Sequence, residues 1–223
     1  MGEVSNISNC DFYDFSELET SIAQNKPYET MLQGPTEESR DFISKSLLLY
    51  LKQINRENAH NLLCLCMEEI ISNCVKANVK RAYFIHNELD INDPEQYKLG
   101  MQSFRESGVS QAKQLELITC AQNLGFYVKV KFSIENGVFI VSARNNSIIS
   151  PEELQRIKNK IELSKNKTSE EIFMNSVDMT EGCGLGIIMI KKIMEQISTH
   201  KESFSIYADD KDTITELRLD SPQ

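Results

Sequence analysis

No apolar run in the 223 residues approaches the roughly twenty that a bilayer-spanning helix needs, so no membrane-spanning helix is expected within them. The opening Met1-Gly2-Glu3-Val4-Ser5 lacks the charged-then-apolar order of a secretory leader, and Asn6 stands where a myristoylation signal carries Ser or Thr. These two absences lead to the expectation of a soluble, cytoplasmic protein. Positive charge is also short. With 24 Lys and Arg against 33 Asp and Glu, the net charge of −9 argues against nucleic acid or an anionic membrane as the main partner, because both would repel the chain. Six cysteines are present without the spacing that metal sites use: Cys64-x-Cys66 has no second pair, and Cys10, Cys74, Cys120 and Cys183 are scattered. His60, His86 and His200 are isolated from one another, so reduced thiols are expected and a zinc site is not. No internal repeat divides the chain.

What is present centres on two stretches. In Gly182-Cys183-Gly184-Leu185-Gly186 three glycines alternate, and the apolar run that follows to about Ser198 has helical spacing. Such a loop feeding a helix amino terminus offers free N–H groups and a positive dipole end to an anion, although turn chemistry alone accounts for the same residues. Cys183 is either filler in that loop or a thiol whose pKa the helix start lowers. The second stretch is a helical run from about Asn61, where Leu62, Leu63, Leu65, Met67, Ile70, Ile71, Cys74 and Val75 leave little solvated face, so burial is expected. Glu69, Asn73 and Lys76 fall on one stripe of it at i, i+4 and i+7. Either Glu69 and Lys76 form a rim pair beside a hydrogen-bonded Asn73, or the three are a site in which Asn73 meets hydrated Mg²⁺ and Glu69 takes a proton.

Residues 1–35 read as an N-terminal extension with a short helix near Asp14 to Gln24 and a break at Gly34-Pro35. Thr36 caps a helix to about residue 56 whose stripe of Ile43, Leu47, Tyr50, Leu51 and Ile54 packs on the domain or on a second copy of it. Asp93-Pro94 opens a helix to about Ser107, and Gln111 to Asn123 forms another. Alternation from Phe126 to Ile134, then Asn136-Gly137, then Val138 to Ala143, spells a hairpin. Ser150 and Glu153 make a capping box for a helix from Pro151. Residues 164–181 are polar, with a Thr168 to Glu171 capping box, and their composition reads as a solvated linker. Two strands, Ser203 to Ala208 and Thr213 to Leu219, close the chain.

The order Glu69-x-x-x-Asn73-x-x-Lys76, then Gly182-Cys183-Gly184-Leu185-Gly186 about a hundred residues later, resembles the N-box and G2-box of the GHKL ATPases, in their histidine-kinase version. The resemblance covers about residues 60–80 and 125–220. It implies an α+β Bergerat fold: a two-layer sandwich whose mixed sheet is covered on one face by helices. On that pattern the domain spans 36–220 with a helical insertion at about 88–124, which serves as a lid or as a docking element, and residues 164–181 correspond to the family's ATP lid. ATP and Mg²⁺ are the implied cofactors, with Glu69 catalytic and Asn73 the metal ligand. Nucleotide contacts then fall to Asn73, Lys76, Gly182, Gly184, Leu185 and Gly186, with Asn145 or Asn146 and Thr213 at the base. Arg144 stands where the family carries its adenine-binding Asp, Asn146 and Ile148 where it carries glycines, and Asp212 where a glycine precedes the threonine. No His-acid-Pro phospho-acceptor box occurs in these residues, so any acceptor lies elsewhere. Two functions follow: a stand-alone signalling module that transfers phosphate to a partner or hydrolyses ATP slowly, or a catalytically inactive regulator that senses nucleotide or binds a signalling protein.

Overall fold

The hairpin forms as its alternation requires. In the computed structural model, which describes residues 13–32, 34–107, 111–149, 151–164 and 185–222, β2 (Val128–Glu135) and β3 (Val138–Asn145) pair antiparallel across Asn136-Gly137. Both turn residues have positive φ, 52° and 79°, the geometry that matches the twist of the flanking strands and that Asn-Gly adopts at little cost. β4 (Phe204–Asp209) and β5 (Asp212–Asp220) form a second hairpin, and β5 lies against β3. An edge strand not anticipated from sequence, β1 (Tyr28–Leu32), adds to β2 and completes the order β1-β2-β3-β5-β4.

The two-layer α/β sandwich is therefore present, but its sheet is antiparallel at every pairing rather than mixed. The reason is topological. β4 runs parallel to β3, yet the second arm of its own hairpin takes the place beside β3, so no parallel neighbours meet.

Of the stretch before residue 36, expected as an arm, the described residues 13–32 join the same core. Asp14 caps α1 (Phe15–Ala23) by accepting from Ser16 N and Glu17 N, and Leu18 is fully buried. Short polar segments hide such packing because one buried leucine and a five-residue strand leave almost no periodic signal.

α2 (Glu37–Gln53) starts at Thr36, whose hydroxyl accepts from Ser39 N, and buries Phe42, Ile43, Leu47, Tyr50 and Leu51. Tyr50 stacks on Phe132 and Phe139 with ring centroids 5.5 and 5.4 Å apart, so this helix is part of the core. α3 (His60–His86) is the longest element at 27 residues, about 40 Å at 1.5 Å per residue. Its first half packs Leu63, Cys66, Met67, Ile70, Ile71 and Cys74 into the main core. Leu65 is nevertheless 43% exposed, with Asn61, Glu68 and Lys76 also exposed, so α3 keeps a solvated face that its apolar content concealed.

The second half of α3 nucleates a separate cluster. Val79, Ala82, Tyr83 and Phe84 pack with Leu117 and Ala121 of α5 (Gln111–Asn123), and Tyr97, Met101 and Phe104 of α4 (Pro94–Ser107) complete it. Asp93 caps α4 by accepting from Glu95 N and Gln96 N. Two further helices, α6 (Pro151–Ser164) and α7 (Leu185–Ile197), join the helical layer, and Ile188, Ile190 and Met194 of α7 are buried. Arg56 fixes the far end of α7 by donating to Ile197 O and to Asp220 O at the end of β5.

Candidate functional site

A cavity of about 820 Å³ lies between the helical layer and the open end of the sheet. Strand alternation sets one wall: Asn145, Thr213, Thr215 and Ile206 are partners or neighbours in register and all face it. α3 supplies Asn73, Lys76, Lys80 and Arg81; α7 supplies Ile187 and Ile190. α6 contributes Glu153, Arg156, Ile157 and Lys160 at i, i+3, i+4 and i+7, one helical face. α4 and α5 close the remainder with Met101, Phe104, Leu117 and Ile118.

At one end Asn73 Nδ2 donates to Glu69 Oε1 at 3.0 Å, which leaves the Asn73 oxygen uncommitted to that bond. Gly186, in the first turn of α7, sits directly on Glu69: a Cβ there would overlap the carboxylate and come within 2.6 Å of Cγ. The residue types read as two separate motifs therefore touch. Leu185 begins α7 beside them, and Lys76 lines the rim with its side chain exposed, apart from Glu69. Gly182, Cys183 and Gly184 lie outside the described residues, as do Ser150 and the segment expected as a lid.

Asn145 and Ser147 of the cavity wall are held from behind by a residue that sequence reading passed over. Asn78 is 4% exposed; its Oδ1 accepts from Asn145 Nδ2 at 3.1 Å and from Ser147 Oγ at 2.8 Å, while its Nδ2 donates to Tyr127 O at 2.8 Å. A buried amide must be satisfied in this way. Its sequence signal was an Asn on the buried stripe of Met67, Ile71 and Cys74. Asn145 is 2% exposed and gives its amide N–H to Asn78, and among the described residues no donor reaches its Oδ1. Thr213 Oγ1 donates to Ser147 O at 2.6 Å and accepts from Ile149 N at 2.8 Å, so this hydroxyl clasps the loop after β3.

Asn146, the alternative to Asn145, does not reach the cavity. Its Oδ1 accepts from Tyr127 N at 2.8 Å and its Nδ2 donates to Gly125 O at 2.9 Å, which commits both ends of the amide to the entry of β2. Strand alternation decides between the two asparagines, since neighbours in a strand face opposite ways. Arg144 likewise points to the other face of the sheet, where its Nη1 pairs with Asp212 Oδ2 at 3.4 Å. Asp212 also accepts from Tyr127 Oη at 2.7 Å, and that hydrogen bond, ahead of burial, raises the Tyr127 phenol above its ordinary range. Two of the departures from the family pattern, Arg144 and Asp212, are thus partners of each other.

At the α6 end Glu153 bridges Lys80 Nζ and Arg81 Nη2, the latter at 3.1 Å, and Arg81 Nη2 also donates to Ile148 O at 2.9 Å. Among the described residues that line the cavity are Lys76, Lys80, Arg81, Arg156 and Lys160 and one acid, Glu153, in a chain whose net charge is −9. No group of three or more His, Cys, Asp or Glu that could hold a metal exists among the described residues. Cys64, Cys66, Cys74 and Cys120 are free thiols. Among the described residues, no helix is long and apolar enough to cross a membrane.

No family model matches the sequence. The chain is similar to an uncharacterized protein of Treponema pallidum (strain Nichols), 27% identical over 177 residues, a match covering 79% of this chain and 34% of that protein. The chain thus spans about a third of the length of the curated relative it matches. Among solved structures it is similar to a chain of the SiaB-SiaC complex from Pseudomonas aeruginosa, at 15% identity, 93% coverage of this chain, 98% of that one and a TM-score of 0.42.

Proposed function

We propose that this chain is a nucleotide-binding module of the histidine-kinase-like type that acts in signalling through a partner protein. The observation supporting it is one cavity in which Asn73, Lys76, Asn145 and Thr213 converge from three distant segments, with five cationic side chains around them. An apolar chamber with a few directed polar groups and positive charge suits a base joined to phosphates.

The donor set fits Mg²⁺ in one manner only. Asn73 offers a single amide oxygen, so phosphate oxygens and water would complete the octahedral shell. When bound, the ion would offset phosphate charge. The chain's own groups would do the rest: Lys76 meets a phosphate, Asn145 Oδ1 accepts from an exocyclic amine, and Thr213 holds the loop that borders the base. Glu69, kept in place by Asn73 and Gly186, would orient or deprotonate an acceptor hydroxyl or imidazole.

The test is calorimetric titration with ATP, with and without Mg²⁺. Micromolar, Mg²⁺-dependent binding is expected, weakened at least about tenfold in Asn73→Ala, the worth of one charge-assisted contact. Absence of binding up to millimolar ATP would overturn the reading. The second function, an inactive regulator, draws support from the Arg144–Asp212 pair, because the family's adenine-binding carboxylate is missing and its replacement is committed on the other face of the sheet. Glu69→Ala separates the two: it abolishes turnover in an enzyme and leaves partner binding intact in a regulator.

A further inference from the structure

We propose that the α6 end of the cavity is a second anion subsite, built from Lys80, Arg81 and Arg156, in which Glu153 stands where an anionic group of the ligand binds. The ligand is then an anion charged at both ends, of the dinucleotide or nucleoside-bisphosphate kind. Its other end rests on the nucleotide reading above; the subsite itself does not.

Position is the first argument. Lys80 and Arg81 follow Asn73 by seven and eight residues, about 10–12 Å along α3 at 1.5 Å per residue, beyond the Asn78–Asn145 contact. A phosphate held at Asn73 cannot also occupy this end.

Charge is the second. The Lys80, Arg81 and Glu153 side chains are 16%, 15% and 18% exposed, and one carboxylate serves two cations while Arg156 adds another from the next turn of α6. Withdrawing cations from water without matching anions is costly. Arg81 also carries a buried Nη1 that finds no acceptor among the described residues. A guanidinium with one nitrogen bonded to a carboxylate oxygen and the other unused has a vacant half of the fork that phosphate fills. A tether between α3 and α6 would explain the Glu153 contacts and leave that donor unexplained.

The probe is inorganic pyrophosphate, titrated calorimetrically without Mg²⁺ at low salt. Removing the internal competitor in Glu153→Gln should tighten binding about tenfold, and Arg81→Gln should weaken it about tenfold or more, the scale of one charge-assisted hydrogen bond. Arg156→Gln, an exposed position whose substitution spares the fold, should also weaken it, and Asn73→Ala should leave it unchanged. Circular dichroism checks the fold of each variant; should Glu153→Gln unfold, Arg156→Gln against Asn73→Ala decides. Equal or weaker binding by a folded Glu153→Gln, equal losses in Arg156→Gln and Asn73→Ala, or no binding by any variant overturns the subsite. If ATP fails to bind while this pattern holds, the subsite stands and the nucleotide reading falls.

Discussion

Gly186 has no room for a side chain because Glu69 occupies it. Replacing it by Ala forces the carboxylate aside, breaks its 3.0 Å bond from Asn73, and should cost about 1–3 kcal/mol in urea denaturation, the range for overpacking a tight contact. Glu69→Ala in the same chain removes the obstacle, so the double variant should recover most of the loss. Additive losses would show that the glycine answers to something other than Glu69. The same scale shows what a linear pattern conveys about single residues. Glu69 and Asn73 were legible because four residues return a helix to the same side. Asn145 and Asn146 were not separable by composition, since both are amides at a strand end, and only the pairing of Asn145 opposite Thr213 turns one inward. His60 illustrates the opposite hazard: its Nε2 lies 3.4 Å from Cys64 Sγ, which suggests a catalytic pair, but it also lies 2.8 Å from Ser44 O. The carbonyl only accepts, so Nε2 carries the proton there and cannot take one from the thiol. Burial pushes that thiol up as well.

Between elements, the contact that fixes the insertion is Gly100 on Phe84. A Cβ at Gly100 would lie 2.5 Å from Phe84 Cζ and 3.0 Å from Leu89 Cδ1, so the α4 backbone rests directly on the Phe84 ring of α3. Gly100→Ala should therefore displace α4, loosen the cluster of Tyr83, Phe84 and Leu117, and raise amide hydrogen exchange in α4 and α5. Phe84→Leu added to it should restore part of the protection, and unchanged exchange in the single variant would mean that the ring moves aside freely. Helices were legible at this scale: α2, α4 and α5 occupy close to the expected spans and α6 begins at Pro151 as expected. The edge strand β1 was not, because a five-residue strand earns its place from hydrogen bonds to β2 that no local pattern announces.

The whole molecule carries a consequence of burying thiols and phenols together. Desolvation pushes Cys66 and Cys74 to about 12 from an ordinary 9.0, and Tyr50 to about 12 from 10.0. Each folded value lies above the unfolded one, so above pH 9 the unfolded chain releases protons that the folded chain retains. Stability is then fully present below about pH 9 and declines as pH rises toward 12. Denaturation midpoints measured across that window should fall, and Cys66→Ala with Cys74→Ala, though less stable throughout, should show a shallower decline. A slope unaltered by losing both thiols would trace the alkaline loss to other groups.

From its sequence alone this chain determined the helices with caps and stripes, the Asn136-Gly137 hairpin and the placing of Glu69 and Asn73 on one stripe of α3, because each is encoded within one or two turns or strands. Tertiary structure alone decided the antiparallel sheet order, the inclusion of residues 15–32 in the core, the choice of Asn145 over Asn146, and the use of α4 and α5 as a cavity wall. It also brought Glu153 from α6 onto Lys80 and Arg81, some seventy residues away in the chain. These depend on which faces meet after the chain has closed on itself, and a face acquires a partner only when burial, hydrogen bonding and charge are satisfied together.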